Sequence, residues 1–134
     1  MAVVRTEKLP VATSDDVVRV RQAVRAWTIE LRFGLVDQTN MVTAASELAR
    51  NTVVHGGGGV AELERLEAGG RRGLRLTFTD HGPGMADAEQ AMKDGFTTGS
   101  GLGLGLGGAR RLVNEFEIRS QPGAGTVVRI TRWA

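Results

Sequence analysis

The amino-acid sequence predicts an α+β domain in which one sheet carries helices on one face. Three observations predict it. Two consecutive stretches between residues 14 and 54 repeat apolar residues at helical spacing, and residues 74–80 alternate apolar with polar side chains, as a half-buried strand does. The chain then closes on two more strand-like runs separated by a glycine-containing turn. At 134 residues, with 41% hydrophobic and 24% charged residues, the composition is that of one globular domain covering 1–134. Only 4% is aromatic, so the core must rest on Val, Leu, Ala and Met.

Taken in order, residues 3–9 read as an edge strand closed by Pro10. Ser14, Asp15 and Asp16 supply a cap and first-turn acids for a first helix, with Val17, Val20, Val24, Trp27 and Leu31 along one face and Gly34 as its end. Asp37 reads as the cap of a second helix whose apolar face is Met41, Ala44, Ala45, Leu48 and Ala49. The glycines 56–59 must break it. Residues 60–66 and 74–80 read as two strands around a turn at 68–73, and His81–Gly84 is turn chemistry. A short helix is expected at 87–93, a further helix at 109–116, and a final hairpin of 117–120 and 126–133 about the turn 121–125. There are no internal repeats.

Several classes are excluded. The absence of cysteine removes disulfides and thiolate metal sites and suits a reducing, cytoplasmic setting. No apolar run approaches the ~18 residues of a membrane span, so no membrane partner is expected. Lys and Arg total 17 against 15 acids, a net charge of +2 without a basic stripe, which gives no basis for nucleic-acid binding.

Three clusters carry chemistry. On the second helix, Glu47 and Asn51 stand four apart and share a face. A carboxylate there can polarise a hydroxyl, and an amide oxygen is a hard ligand suited to Mg²⁺. Taken alone, the pair equally fits an ordinary solvated helical face. Asp80-His81-Gly82-Pro83-Gly84 follows an alternating strand. The carboxylate can accept from an exocyclic amine while Gly82 and Gly84 let a flat ring approach the backbone, although the same residues also make a plain turn. The third cluster is the glycine-rich stretch 97–108, TTGSGLGLGLGG, where backbone amides can approach an oligophosphate. Leu102, Leu104 and Leu106, spaced at every second residue, argue against a flexible linker. The incidental Gly-x-Gly-x-x-Gly at 103–108 does not follow a strand, so it is no dinucleotide fingerprint. A P-loop lysine motif and the protein-kinase motif set are both absent. His55 and His81, as lone histidines, read as packing or hydrogen-bonding residues.

In this order the clusters resemble the boxes of the GHKL ATPase and kinase superfamily. Glu47-x-x-x-Asn51 is similar to its N box, Asp80-x-Gly82-x-Gly84 to its G1 box and Gly101-x-Gly103-x-Gly105 to its G2 box, with Gly123-Ala124-Gly125-Thr126 as the closing Gly-x-Gly-Thr. The resemblance implies a two-layer α/β sandwich of the Bergerat type with a mixed, mostly antiparallel sheet. The short length and stretches such as Ser46-Glu47-Leu48-Ala49-Arg50-Asn51 and Asp94-Gly95-Phe96-Thr97-Thr98 resemble most closely the serine/threonine switch kinases of stressosome modules, the RsbT type.

That resemblance implies ATP and Mg²⁺ as the cofactors, and with them a role for each matching residue. Asn51 would hold the metal and Glu47 would be the base acting on the acceptor hydroxyl. Asp80, with Thr126 through water, would accept from the adenine amino group. Gly82 and Gly84 would make room for the base, and the backbone of Gly101, Leu102, Gly103, Leu104 and Gly105 would cradle the phosphates. By the same resemblance, the substrate would be a STAS-domain antagonist and the second partner a PP2C-type phosphatase, activated by the released kinase. An anti-sigma factor that sequesters a sigma factor is the alternative. No histidine sits in a phosphoacceptor arrangement, which disfavours histidine-kinase activity.

Overall fold

The computed structural model describes residues 1–84 and 105–134. Its elements are β1 (Ala2–Val11), α1 (Ser14–Glu30), α2 (Leu35–Val54), β2 (Gly59–Ala68), β3 (Arg71–Asp80), α3 (Gly105–Arg111), β4 (Glu115–Ser120) and β5 (Thr126–Trp133). The five strands form one sheet in the order β1-β2-β3-β5-β4, and all four pairings are antiparallel. The helices lie against one face. Leu63, Leu74, Leu76, Phe78, Val128 and Ile130 from that face join Val20, Val24, Trp27, Met41 and Leu48 of α1 and α2 in one buried core.

The first strand lies at the sheet edge as expected and runs on through Pro10, which an edge tolerates. The helix starts are shifted from those the sequence predicts. Ser14 is the first residue of α1, and the cap is Thr13. Its side chain accepts from the Asp16 N–H at 3.2 Å, while Asp16 Oδ2 accepts from the N–H groups of Ala12 (2.9 Å) and Thr13 (3.2 Å). Gly34 does not end α1. The helix ends at Glu30 with Leu31 as its C-cap, and Arg32 just beyond adopts the left-handed region at φ 61°. Arg32 N–H donates to the Ile29 carbonyl and Phe33 N–H to the Thr28 carbonyl, the paired bonds of a Schellman ending usually built on glycine. Gly34 instead caps α2, and Asp37 lies in that helix's first turn rather than capping it. Asp37 has a stronger partner: the Arg132 guanidinium of β5, which also donates to the Leu112 carbonyl at 2.6 Å.

The apolar face predicted for α2 is buried in full. Ala44, Ala45 and Ala49 keep that face shallow, so the helix packs close against α1 and the sheet. In the β2–β3 hairpin, strand pairing extends to Ala68 opposite Arg71, so the expected six-residue turn contracts to Gly69 and Gly70 at φ 56° and 80°. Two successive left-handed residues are what the tightest hairpin turn requires. On the face away from the helices, Arg75 pairs with Glu64 at 2.8 Å, and that bond holds the guanidinium more firmly protonated than usual.

The helix expected at 109–116 is displaced toward the N-terminus and spans Gly105–Arg111. Phe116 lies in β4, where it alternates with Ile118 against the core. Strand pairing outweighs helical spacing there, with Phe116 opposite Ile130 of β5. The expected helix at 87–93 lies outside the described residues. Among the described residues no helix is long and apolar enough to cross a membrane.

Candidate functional site

The site grows from one row of the sheet. Asp80, the last residue of β3, stands opposite Gly59 of β2 and Thr126 of β5, and Thr126 in turn stands opposite Ser120 of β4. Counted from the buried Phe78 and Val128, this row falls on the helix-bearing face. Asp80 Oδ1 accepts two backbone N–H bonds, from Gly82 at 2.9 Å and from Thr126 at 3.2 Å. Thr126 Oγ1 shares a hydrogen bond with Ser120 Oγ at 2.8 Å, and Ser120 Oγ also donates to the Gly125 carbonyl at 3.2 Å. Oδ1 is thus pinned by two backbone donors, whereas among the described residues no donor reaches Asp80 Oδ2.

The loop after β3 and the turn before β5 close on each other. Gly123 N–H donates to the Pro83 carbonyl at 2.7 Å. A Cβ at Gly84 would stand 1.9 Å from the Gln121 carbonyl oxygen, and one at Gly125 would stand 2.2 Å from that of Asp80. Only glycine allows backbones to pass so closely, so the G1-like loop and the closing Gly-x-Gly-Thr form one wall around Asp80.

The end of α2 supplies the opposite wall. Glu47 is buried, with 6% of its surface exposed, and Asn51 is half-buried one turn further on. The Asn51 carbonyl accepts from His55 N–H at 2.9 Å and Gly56 N–H at 3.2 Å, which carries the chain out of the helix directly beneath Asp80. The short helix α3 packs on α2 with Leu106 and Ala109 buried, so Gly105, the last of the predicted phosphate-loop residues, opens a helix lying beside Asn51's own. Gly101, Leu102, Gly103 and Leu104 lie outside the described residues. His55 and His81 are both exposed.

Glu47, Asn51, Asp80, Gly82, Gly84 and Thr126 are therefore brought to one end of the sandwich. Two further residues of the site, Gly56 and Ser120, do not stand out in the sequence. Gly56 is one of four consecutive glycines and reads simply as a helix breaker, and Ser120 reads as the end of a strand. Nothing local marks either: Ser120 is picked out by its register opposite Thr126, and Gly56 by its packing against Asp80.

Chemically, this geometry offers a carboxylate oxygen to which no described residue donates, beside backbone that a flat ring can approach, with a buried carboxylate and an amide on the helix that leads to the same end of the sheet. Among the described residues there is no group of three or more His, Cys, Asp or Glu side chains able to hold a metal. A single amide ligand fits Mg²⁺ that arrives coordinated by phosphates and water, since that ion commonly takes few protein ligands and keeps the rest of its octahedron for substrate.

Residues 11–132 match the histidine kinase-like ATPase domain, and the chain belongs to that family. Within it, the chain is 42% identical over 123 residues to the serine/threonine-protein kinase RsbT of Bacillus subtilis (strain 168), an alignment covering 92% of each protein. It is 29% identical over 119 residues to the anti-sigma F factor of Thermoanaerobacter sp. (strain X514), covering 84% of this chain and 82% of that one. A solved structure of the RsbU and RsbW domains of Rv1364c from Mycobacterium tuberculosis superposes with a TM-score of 0.65 at 25% identity. That match covers 96% of this chain and 32% of the longer one.

Proposed function

We propose that this chain is an ATP-dependent serine/threonine protein kinase that phosphorylates a STAS-domain antagonist in a bacterial partner-switching module. Once released, it binds and activates a PP2C-type phosphatase. The observation that carries the nucleotide reading is the asymmetry of Asp80: two N–H groups pin Oδ1, while among the described residues none donates to Oδ2. The kinship with a serine/threonine kinase supports the choice of phosphoryl acceptor.

In this reading Asp80 Oδ2 accepts from the adenine amino group, and Thr126 assists through its hydroxyl, which Ser120 orients. Gly82 and Gly84 leave the backbone bare beside the ring. Asn51 holds Mg²⁺, which when bound neutralises phosphate charge. The amides of Gly101, Leu102, Gly103, Leu104 and Gly105 receive the β- and γ-phosphates. Glu47, one turn from Asn51, takes the proton of the acceptor hydroxyl as its oxygen bonds to the γ-phosphorus and the bond to the β-phosphate oxygen breaks, releasing ADP. Such transfer depends mainly on positioning and electrostatics, which is the role this reading gives these residues.

The test is incubation with Mg²⁺ and γ-labelled ATP, with and without a STAS-domain protein from the same organism. Label should reach a serine or threonine of that partner and should be lost in Glu47→Ala, while ATP binding by the variant survives. Equal transfer by Glu47→Ala would remove it as the base. The kinship with anti-sigma F factors supports a second reading, sequestration of a sigma factor with nucleotide governing partner choice. ATP binding without transfer, together with capture of a sigma factor, would favour it.

A further inference from the structure

Gly56 has no part in the mechanism above, yet it is where the two walls of the cleft touch. It is buried and follows the C-cap of α2, and its N–H donates to the Asn51 carbonyl. A Cβ built on Gly56 would lie 2.4 Å from Asp80 Cγ, 2.5 Å from Oδ2 and 2.6 Å from Cβ. On its other side, a Cβ at Gly82 would meet the Gly56 carbonyl oxygen at 2.7 Å. The Gly56 backbone is therefore packed between the Asp80 carboxylate and the loop after β3. Its φ is outside the left-handed region, so its own backbone would accept alanine; the obstacle is the Asp80 side chain. Gly57, next in the chain, differs on both counts, with φ 72° and nothing within 4 Å of an added Cβ.

We propose that Gly56 is a positioning residue for base specificity: its bare backbone holds Asp80 with Oδ2 facing the base, and any side chain there would turn the carboxylate away. Because Gly56 is bonded to Asn51 as well, it also fixes the distance between the adenine-reading and metal-holding groups. The inference rests on the nucleotide reading of Asp80. It goes beyond that reading by assigning base discrimination to a residue that cannot itself contact the base through a side chain.

The experiment is calorimetric titration of the intact chain, Gly56→Ala and Gly57→Ala with Mg-ATP, Mg-GTP and Mg-tripolyphosphate, alongside their melting temperatures. Gly56→Ala should weaken ATP by about tenfold or more and collapse the preference for ATP over GTP, as a misplaced carboxylate requires, while tripolyphosphate binding is retained. Gly57→Ala should lower the melting temperature and leave the base preference as it was. Unchanged ATP affinity and base preference in folded Gly56→Ala would overturn the proposal. So would an equal loss for tripolyphosphate, which would mean that the turn itself had collapsed. Should Gly56→Ala fail to fold, the same change is made in an Asp80→Gly background, where the obstructing atoms are gone. Folding there at the melting temperature of Asp80→Gly alone supports the contact, and failure to fold there overturns it. Absence of ATP binding by the unsubstituted chain is a different result: it would remove the nucleotide reading itself.

Discussion

Replacing Asp80 with asparagine changes one oxygen of the site into a nitrogen, and the structure dictates which one. Two backbone N–H groups converge on Oδ1, at 2.9 Å from Gly82 and 3.2 Å from Thr126. An amide in that place must turn its carbonyl oxygen toward those donors, so its NH₂ group takes the position of Oδ2. The surface offered to the base then changes from acceptor to donor. In the proposed binding mode adenine would present an amino donor there, so a charge-assisted hydrogen bond worth ~1.5–3 kcal/mol would be lost and two donors would face each other. ATP should therefore bind about 10- to 150-fold more weakly in Asp80→Asn. A base with a carbonyl at the same position gains a partner, so the ratio of ATP to GTP affinity should fall further than ATP affinity itself. Both backbone bonds to the side chain survive in weaker, neutral form, so the melting temperature without nucleotide should move by no more than ~5 °C. Calorimetric titration with Mg-ATP and Mg-GTP, paired with thermal denaturation, checks all three expectations. A folded Asp80→Asn that binds ATP as tightly as the parent would refute the adenine assignment and the asymmetry on which it rests.

The two ends of α1 lead to two more expected outcomes. Arg32→Gly should raise the unfolding free energy by ~0.5–1 kcal/mol, because a left-handed residue without a Cβ escapes the clash arginine must bear. The urea midpoint should rise at constant slope; a lower midpoint would mean the arginine side chain stabilises more than its backbone costs. At the other end, the N–H of Ala12 above all, with Thr13 and Arg19 adding, holds the Asp16 carboxyl below its usual value of 3.8 against the opposing effect of burial. A pKa depressed on folding contributes stability above the unfolded value and loses it as pH falls through the folded one. Stability should thus drop between about pH 5 and pH 3 in the parent and drop less steeply in Asp16→Asn, as melting curves across that range would record. Parallel pH profiles for the two proteins would refute the capping role of that carboxylate.

The arrangement of elements was legible because it is carried by periodicity. The apolar face of α2 and the alternation of Leu74, Leu76 and Phe78 each answer to one geometry, and both are buried as expected. What the sequence did not disclose are features decided by partners far along the chain. Asp37 has the chemistry of a cap, but Arg132, ninety-five positions away, claims it. Arg32, just past the cap of α1, takes a conformation that glycine usually supplies, and Phe33 next to it is buried in the core. Phe116 fits a helical face locally, yet β5 recruits it as a strand residue opposite Ile130. The same holds at the site. Glu47, Asn51 and Asp80 stand out by residue type and spacing, whereas Gly56 matters only because β3 ends against it.

The dependence of the site on the sheet is strict. The row containing Gly59, Asp80, Thr126 and Ser120 is the last inward-facing row, and the rows beneath it belong to the core. Ala61, Phe78, Val128 and Ile118 form one, and Leu63, Leu76, Ile130 and Phe116 form the next. Side chains alternate with period two, so a one-residue slip of β5 against β3 would turn Val128 and Ile130 to the outer face and carry the Thr126 N–H away from Asp80 Oδ1. That slip would expose two buried aliphatic side chains, each worth about 1.5–3 kcal/mol when fully removed from water. The register that aims Asp80 is thus held by residues that never approach the cleft. Glu47 and Asn51 are tied to it in turn, through Ala45, Leu48 and Ala49 packed on the same core. A small helix-and-sheet sandwich can thus keep a carboxylate, an amide and a strand end in fixed relation without any covalent cross-link, because the rows that build its core continue into the rows that build its site.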